Sequence, residues 1–90
     1  MEKNIDDRAM LLLEKTSIAE LDRLGSTSYT RWQNIKRGKA RFGAAEIEIL
    51  GKAYPEFRWW LMTGGEEPDI GQISPMSKDV QKELKRTGTE

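Results

Sequence analysis

The chain contains no cysteine and no histidine. Without cysteine there is neither a disulfide framework nor a thiolate nucleophile. Without histidine the commonest general base and the commonest zinc ligand are missing. No apolar run approaches the ~20 residues needed to cross a bilayer, the acidic start (Met1 to Asp7) lacks a signal-peptide pattern, and no Gly-x-x-x-x-Gly-Lys phosphate loop occurs. The carboxylates Glu66, Glu67 and Asp69 cluster in a turn-rich stretch without a histidine, so solvated charge is a better reading than a metal site or an acid–base pair. The expectation is a cytoplasmic, non-enzymatic protein that uses no cofactor or metal and does not enter a membrane.

Charge of either sign is also not in excess, since fifteen basic residues balance fifteen acidic ones. The distribution is far from even. Between Arg23 and Ala45 stand Arg23, Arg31, Lys36, Arg37, Lys39 and Arg41 with no carboxylate among them. All the acidic residues therefore lie elsewhere, beside only nine basic ones. Nucleic-acid recognition requires a positive face and not a positive whole, and an acidic remainder would repel DNA and orient its approach. The segment also holds Ser28-Tyr29-Thr30-Arg31-Trp32-Gln33-Asn34-Ile35-Lys36-Arg37-Gly38. Its hydroxyl, amide and guanidinium groups are of the kind that meet base edges and phosphates.

Ninety residues suit one small core. The patterning predicts an all-α fold, with five short helices before Gly64 and no strand-like alternation. The first covers about residues 6–15, with Asp6 and Asp7 at its positive end and Ile5, Ala9, Leu12 and Leu13 at helical spacing. The second covers about 17–24, capped by Thr16 or Ser17, burying Ile18, Leu21 and Leu24 and stopped by Gly25. The third follows Ser26-Thr27-Ser28, any of which can cap, and ends at Gly38 with Trp32 and Ile35 inward. The fourth, 44–53, presents Ala44, Ile47 and Leu50 inward and stops before Pro55. The fifth, 56–62, carries Phe57, Trp59, Trp60 and Leu61. These rings read as core filling and not as a platform for single strands, although Trp59 and Trp60 are adjacent and cannot both face fully inward. Three parts result: a domain over 1–64, an acidic turn-rich linker over 65–74, and a sixth, C-terminal amphipathic helix over 75–90 that opens at Ser74-Pro75 and ends near Gly88. Its stripe of Met76, Val80 and Leu84 is too lean to fold alone and must dock.

Two motifs carry a family resemblance. Asn34-Ile35-Lys36-Arg37-Gly38-Lys39 is similar to the recognition-helix ending of the lambda-repressor-like (Xre, Cro/cI-type) helix-turn-helix family, and Trp60-Leu61-Met62-Thr63-Gly64 is similar to its closing Trp-Leu-Leu-Thr-Gly. The resemblance spans about residues 7–64. It departs from the family pattern in one place: with Ser28 as the cap, Ser26 stands where the turn glycine is usual and Gly25 falls one residue early. The resemblance implies a dimeric repressor of phage or prophage type, acting on an inverted-repeat operator in double-stranded DNA.

In such a motif the third helix enters the major groove. Tyr29, Thr30, Arg31, Gln33 and Asn34 are then the candidate base readers, since Asn and Gln suit adenine, Arg suits guanine, and the Thr methyl suits thymine. Lys36, Arg37, Lys39 and Arg41 are candidate phosphate contacts from the following loop. Ser28 at the cap joins them, as do Thr16 and Ser17 at the second helix's start, where simple capping explains them equally well. Met76, Val80 and Leu84 can fold back, pair with their copies in a homodimer, or bind another protein. The alternative function is an antitoxin-like or adaptor protein whose C-terminal segment holds a partner.

Overall fold

The computed structural model describes residues 4–80. Its helices are α1 (Ile5–Glu14), α2 (Ile18–Leu24), α3 (Tyr29–Lys36), α4 (Ala44–Ala53) and α5 (Arg58–Thr63). A last helix, α6, occupies residues 75–80 of the described chain. Single 3-10 turns precede α5 (Pro55–Phe57) and α6 (Pro68–Ile70). Among the described residues the only β-type pairing is one isolated antiparallel bridge, Glu67 to Gln72. The fold is all-α, as the patterning predicts. Leu84 and Gly88, and the helix expected to continue to residue 90, lie outside the described residues.

The first three helices each start where a capping side chain satisfies a free amide. Asn4 caps α1, accepting from the Asp7 amide at 2.9 Å while Asp7 reaches back to the Asn4 amide at 3.4 Å. Ser17 caps α2 through the Glu20 amide and Ser28 caps α3 through the Arg31 amide. Of the three hydroxyls before α3, only Ser28 has this role. Gly64 ends α5 in the left-handed region at φ 81°, where a side chain is disfavoured. Arg8 of α1 donates from Nε to the Leu61 carbonyl at 3.0 Å, covering an acceptor that the end of α5 leaves open.

The core joins Ala9, Leu12 and Leu13 of α1 to Leu21, Trp32, Ile35, Ile49, Leu50, Phe57, Trp60 and Leu61. Helix α1 lies centrally, touching α3, α4 and α5, while α2 packs on α3 and α4. Phe57 stacks on Tyr54 and meets Trp60 edge-on, at centroid distances of 5.5 and 6.5 Å. Trp60 is buried and Trp59 is 44% exposed, so the adjacent pair divides as steric reasoning requires.

Two inward sets differ from expectation. Leu24 is 40% exposed, because residues three apart rotate about 60° around a helix. With Leu21 pointing at the core, Ile18 and Leu24 fall to either side of it. In α4 the buried residues are Glu46, Ile49, Leu50 and Gly51, whereas Ala44 is exposed and Ile47 only half-buried. The helix is rotated by about one residue from the purely apolar pattern, because a carboxylate is drawn inward at Glu46.

Trp32→Ala is expected to cost about 3–5 kcal/mol, seen as loss of the cooperative melting transition. Trp32→Phe removes an indole N–H that is buried without a partner and is expected to cost less. Equal melting of all three proteins would show that Trp32 does not hold the core.

Candidate nucleic-acid interface

Helix α3 meets the surface along one edge. At about 100° per residue, Thr30, Gln33, Asn34 and Arg37 lie opposite Trp32 and Ile35, with Tyr29 to one side. Tyr29, at 48%, and Thr30 are exposed, while Gln33 and Asn34 are half-buried. The loop after α3 accounts for part of that cover. It curls back so that the amides of Lys39 and Ala40 donate to the Asn34 carbonyl, at 2.8 and 3.3 Å. Neither the Gln33 nor the Asn34 side-chain amide bonds another described residue, so the hydrogen-bonding capacity of both remains available.

The turn before α3 runs from Gly25 to Ser28. Gly25 is extended (φ −167°), a conformation open to any residue, so its requirement is space: a Cβ there would come within 2.5 Å of the Ile49 side chain. Thr27 turns inward and is 5% exposed, donating its hydroxyl to Glu46 Oε2 at 2.6 Å.

Glu46 is the residue that sequence reasoning missed. Its carboxylate also accepts from Arg31, Nε to Oε2 and Nη2 to Oε1, each at 3.1 Å, and from the Gly43 amide at 2.7 Å. The turn, α3, the loop after it and α4 thus converge on two oxygen atoms. The Arg31 hydrogen bond is the main force holding the Glu46 carboxyl down at about 2, with Thr27 and Gly43 assisting against the opposing effect of burial. In return, the carboxylate raises the Arg31 pKa further above its ordinary value. The signal was present in the sequence: Glu46 stands at the third helical position after Gly43, where a carboxylate closes a capping box, and is the first acidic residue after the basic stretch.

This geometry reassigns Arg31. Its Nη2 also donates to the Arg41 carbonyl at 3.0 Å, so the guanidinium braces α3 against its loop and is not held ready for guanine. Arg41 is itself 88% exposed at its side chain and pairs with Asp6 of α1 at 3.0 Å. Lys36, Arg37 and Lys39 are exposed and carry no ion pair with a described residue. Thr16 donates to the Leu12 carbonyl at 3.1 Å and pairs with the Tyr54 hydroxyl, and Ser17 is occupied as the α2 cap. Capping accounts for the side chains of Ser17 and Ser28, and bonds to Leu12 and Tyr54 account for that of Thr16.

At the other end, the turn-rich segment 65–74 is tied to the domain by hydrogen bonds. Gln72 bridges the Trp59 amide and the Pro55 carbonyl, and the Ile73 amide donates to the Glu56 carbonyl. Glu66 is not simply solvated. It accepts from the Ser74 amide at 2.7 Å, and hydrogen bonds from Ser77 and Ser74 lower its pKa. Lys78 pairs with Glu56 at 2.8 Å and sits 5.6 Å from the Phe57 ring centre. Burial pushes the Glu56 carboxyl up, but the Lys78 hydrogen bond and charge outweigh it and the net direction is down.

No group of three potential metal ligands occurs among the described residues, and no described helix is long and apolar enough to cross a membrane. No family model and no curated protein matches the chain. Among solved structures the chain is similar to Pf6r from the filamentous phage Pf6 of Pseudomonas aeruginosa PA01, which is 36% identical, superposes with a TM-score of 0.77, and is matched over 82% of this chain and 97% of its own length.

The depressed Glu46 carboxyl makes stability acid-sensitive in a defined direction. Its contribution is complete above the ordinary value of 4.5 and falls away as pH drops towards about 2. Melting measured from pH 7 down to pH 2 is expected to decline more steeply through that window for the natural protein than for Glu46→Gln, which begins less stable. Parallel declines would remove Glu46 from the acid response.

Proposed function

The chain belongs to the family of the filamentous-phage protein Pf6r, and from that premise we propose that it is a sequence-specific double-stranded DNA-binding regulator. Helix α2, its turn and α3 act as a lambda-repressor-like helix-turn-helix, and the protein works as a phage- or prophage-type repressor. It carries out no catalysis and acts in the cytoplasm, where a phage operator is found. Two copies on an inverted repeat would place their α3 helices about 34 Å apart.

One observation carries this reading. An outward edge of unengaged hydroxyl and amide groups lies beside three cations with no ion pair among the described residues. Tyr29, Thr30, Gln33 and Asn34 are the base-contacting groups. Arg31 positions them through Glu46. Lys36, Arg37, Lys39 and Arg41 grip phosphates, Arg41 exchanging Asp6 for a phosphate oxygen. Ser17 and Ser28 are proposed to meet the same backbone at the two helix starts that they cap, whereas the Thr16 amide and hydroxyl are engaged by the Leu13 and Leu12 carbonyls of α1.

The exposed Met76 and Val80 favour a second reading, in which α6 holds a protein partner in an antitoxin-like or adaptor role. Passage over a generic duplex column separates the two. A regulator is retained at low salt and released as salt rises, whereas an adaptor without DNA binding flows through.

Gln33→Ala or Asn34→Ala is expected to lower preference for the selected site by about 1–3 kcal/mol and to leave random duplex binding unchanged. Equal losses on both duplexes would remove them as readers. Lys39→Ala is expected to weaken every duplex alike and to flatten the dependence of log K on log salt by about 0.9. An unchanged slope would mean that Lys39 meets no phosphate.

A further inference from the structure

The α4–α5 side of the domain carries an open, mainly apolar groove of about 710 Å³, and no residue of α3 lines it. Ile47, Gly51, Leu61 and Met62 contribute to it, with Lys52 and Arg58 beside them. Arg58 is drawn against α4, donating from Nε and Nη2 to the Gly51 carbonyl at 3.4 and 3.3 Å. At Gly51 the groove therefore has a fixed wall. Met62 is 56% exposed.

A second apolar feature is convex. Met76 and Val80 stand one turn apart on α6 and are 50% and 58% exposed. The root of that helix is fastened to its own domain through Lys78 to Glu56 and Ser74 to Glu66. Its stripe is thus presented outward in a set direction, and neither residue lines the groove of its own chain. A helix stripe held ready loses little further freedom on docking.

We infer that a second copy of this chain covers both features at once. In the homodimer the Met76–Val80 stripe of each copy lies in the α4–α5 groove of its partner, and the contact is repeated by two-fold symmetry. This rests on the reading that the protein works as a dimer. Groove against groove would oppose two concavities and leave a void whose lining lacks packing partners. Stripe against stripe would leave both grooves open. Reciprocal exchange matches convex to concave twice and closes under a two-fold axis. The charges favour this seating: the groove carries Lys52 and Arg58 against the single carboxylate Glu48, and Asp79, exposed next to the Met76–Val80 stripe, meets the two cations. Helix α3 remains outside the contact, so both reading edges stay free for DNA.

The absence of cysteine makes the arrangement directly readable. Full-length Ile47→Cys and Val80→Cys proteins are mixed under mild oxidation without DNA, and the covalent dimers are separated by mass. The mixed Ile47→Cys/Val80→Cys dimer is expected in clear excess over random pairing. Predominance of Val80→Cys pairs (stripe on stripe), predominance of Ile47→Cys pairs (groove on groove), random pairing, or no covalent dimer would each overturn the inference. In sedimentation, Val80→Glu and Ile47→Glu are each expected to raise the concentration at half-dimerisation at least about tenfold. The double variant should be little weaker than either single one, because both remove the same contact. Full additivity, or a dimer unaffected by Val80→Glu, would also overturn it. Since no DNA is present, these outcomes stand apart from the duplex experiments: a protein that pairs as described but ignores DNA would refute the regulator reading alone.

Discussion

The Glu46 carboxylate is the fixed point of the half of the molecule built from α2, α3 and the loop after it. Four hydrogen bonds reach it, from the buried Thr27 hydroxyl, twice from Arg31 and once from the Gly43 amide. A buried carboxylate left unpaired would be costly, and each of these donors offsets part of its desolvation. The consequence is geometric more than energetic. The turn, α3 and the loop after it cannot shift independently while all three are bonded to one side chain. The proposed reading of base edges by α3 depends on that rigidity, because such groups discriminate only if their positions are held.

The same charge explains how a chain with zero net charge can own a basic surface. Glu46 neutralises Arg31 from within, at 3% exposure, and leaves the outward cations untouched. Lys36, Arg37 and Lys39 then project from the end of α3 without competing carboxylates nearby in the chain. Arg41 is different, held by Asp6 across the surface in an exposed pair of small net worth. Interior and exterior electrostatics are separated here: one buried anion organises, and several exposed cations attract.

The opposite half is organised by capping and stacking. Tyr54, Phe57 and Trp60 build an aromatic corner, over which Lys78 and the tied 65–74 segment bring α6. Glu66, in a stretch that composition marks as loose and acidic, is held by Ser74 and Ser77 and fixes where that last helix begins. Apolar residues that would be a liability on an isolated monomer, Met62, Met76 and Val80, are all in this half, away from α3.

Helix existence and most helix ends were legible in the chain, because caps and breakers act locally. Ser17, Ser28, Pro55 and Gly64 fix ends through their own backbone or a neighbour three residues away. The Trp32 and Ile35 burial followed from spacing in the same way. The chain could not reveal which way α4 turns, since apolar periodicity favoured Ala44 and Ile47 while the fold chose Glu46 and Ile49. That choice depends on Thr27, Arg31 and Gly25, which are distant in sequence and meet only once the helices pack. For the same reason the concentration of positive charge along the chain was readable, but the commitment of Arg31 to an internal carboxylate was not. Local signals set the pieces; long-range hydrogen bonds and the close approach at Gly25 decided how they face.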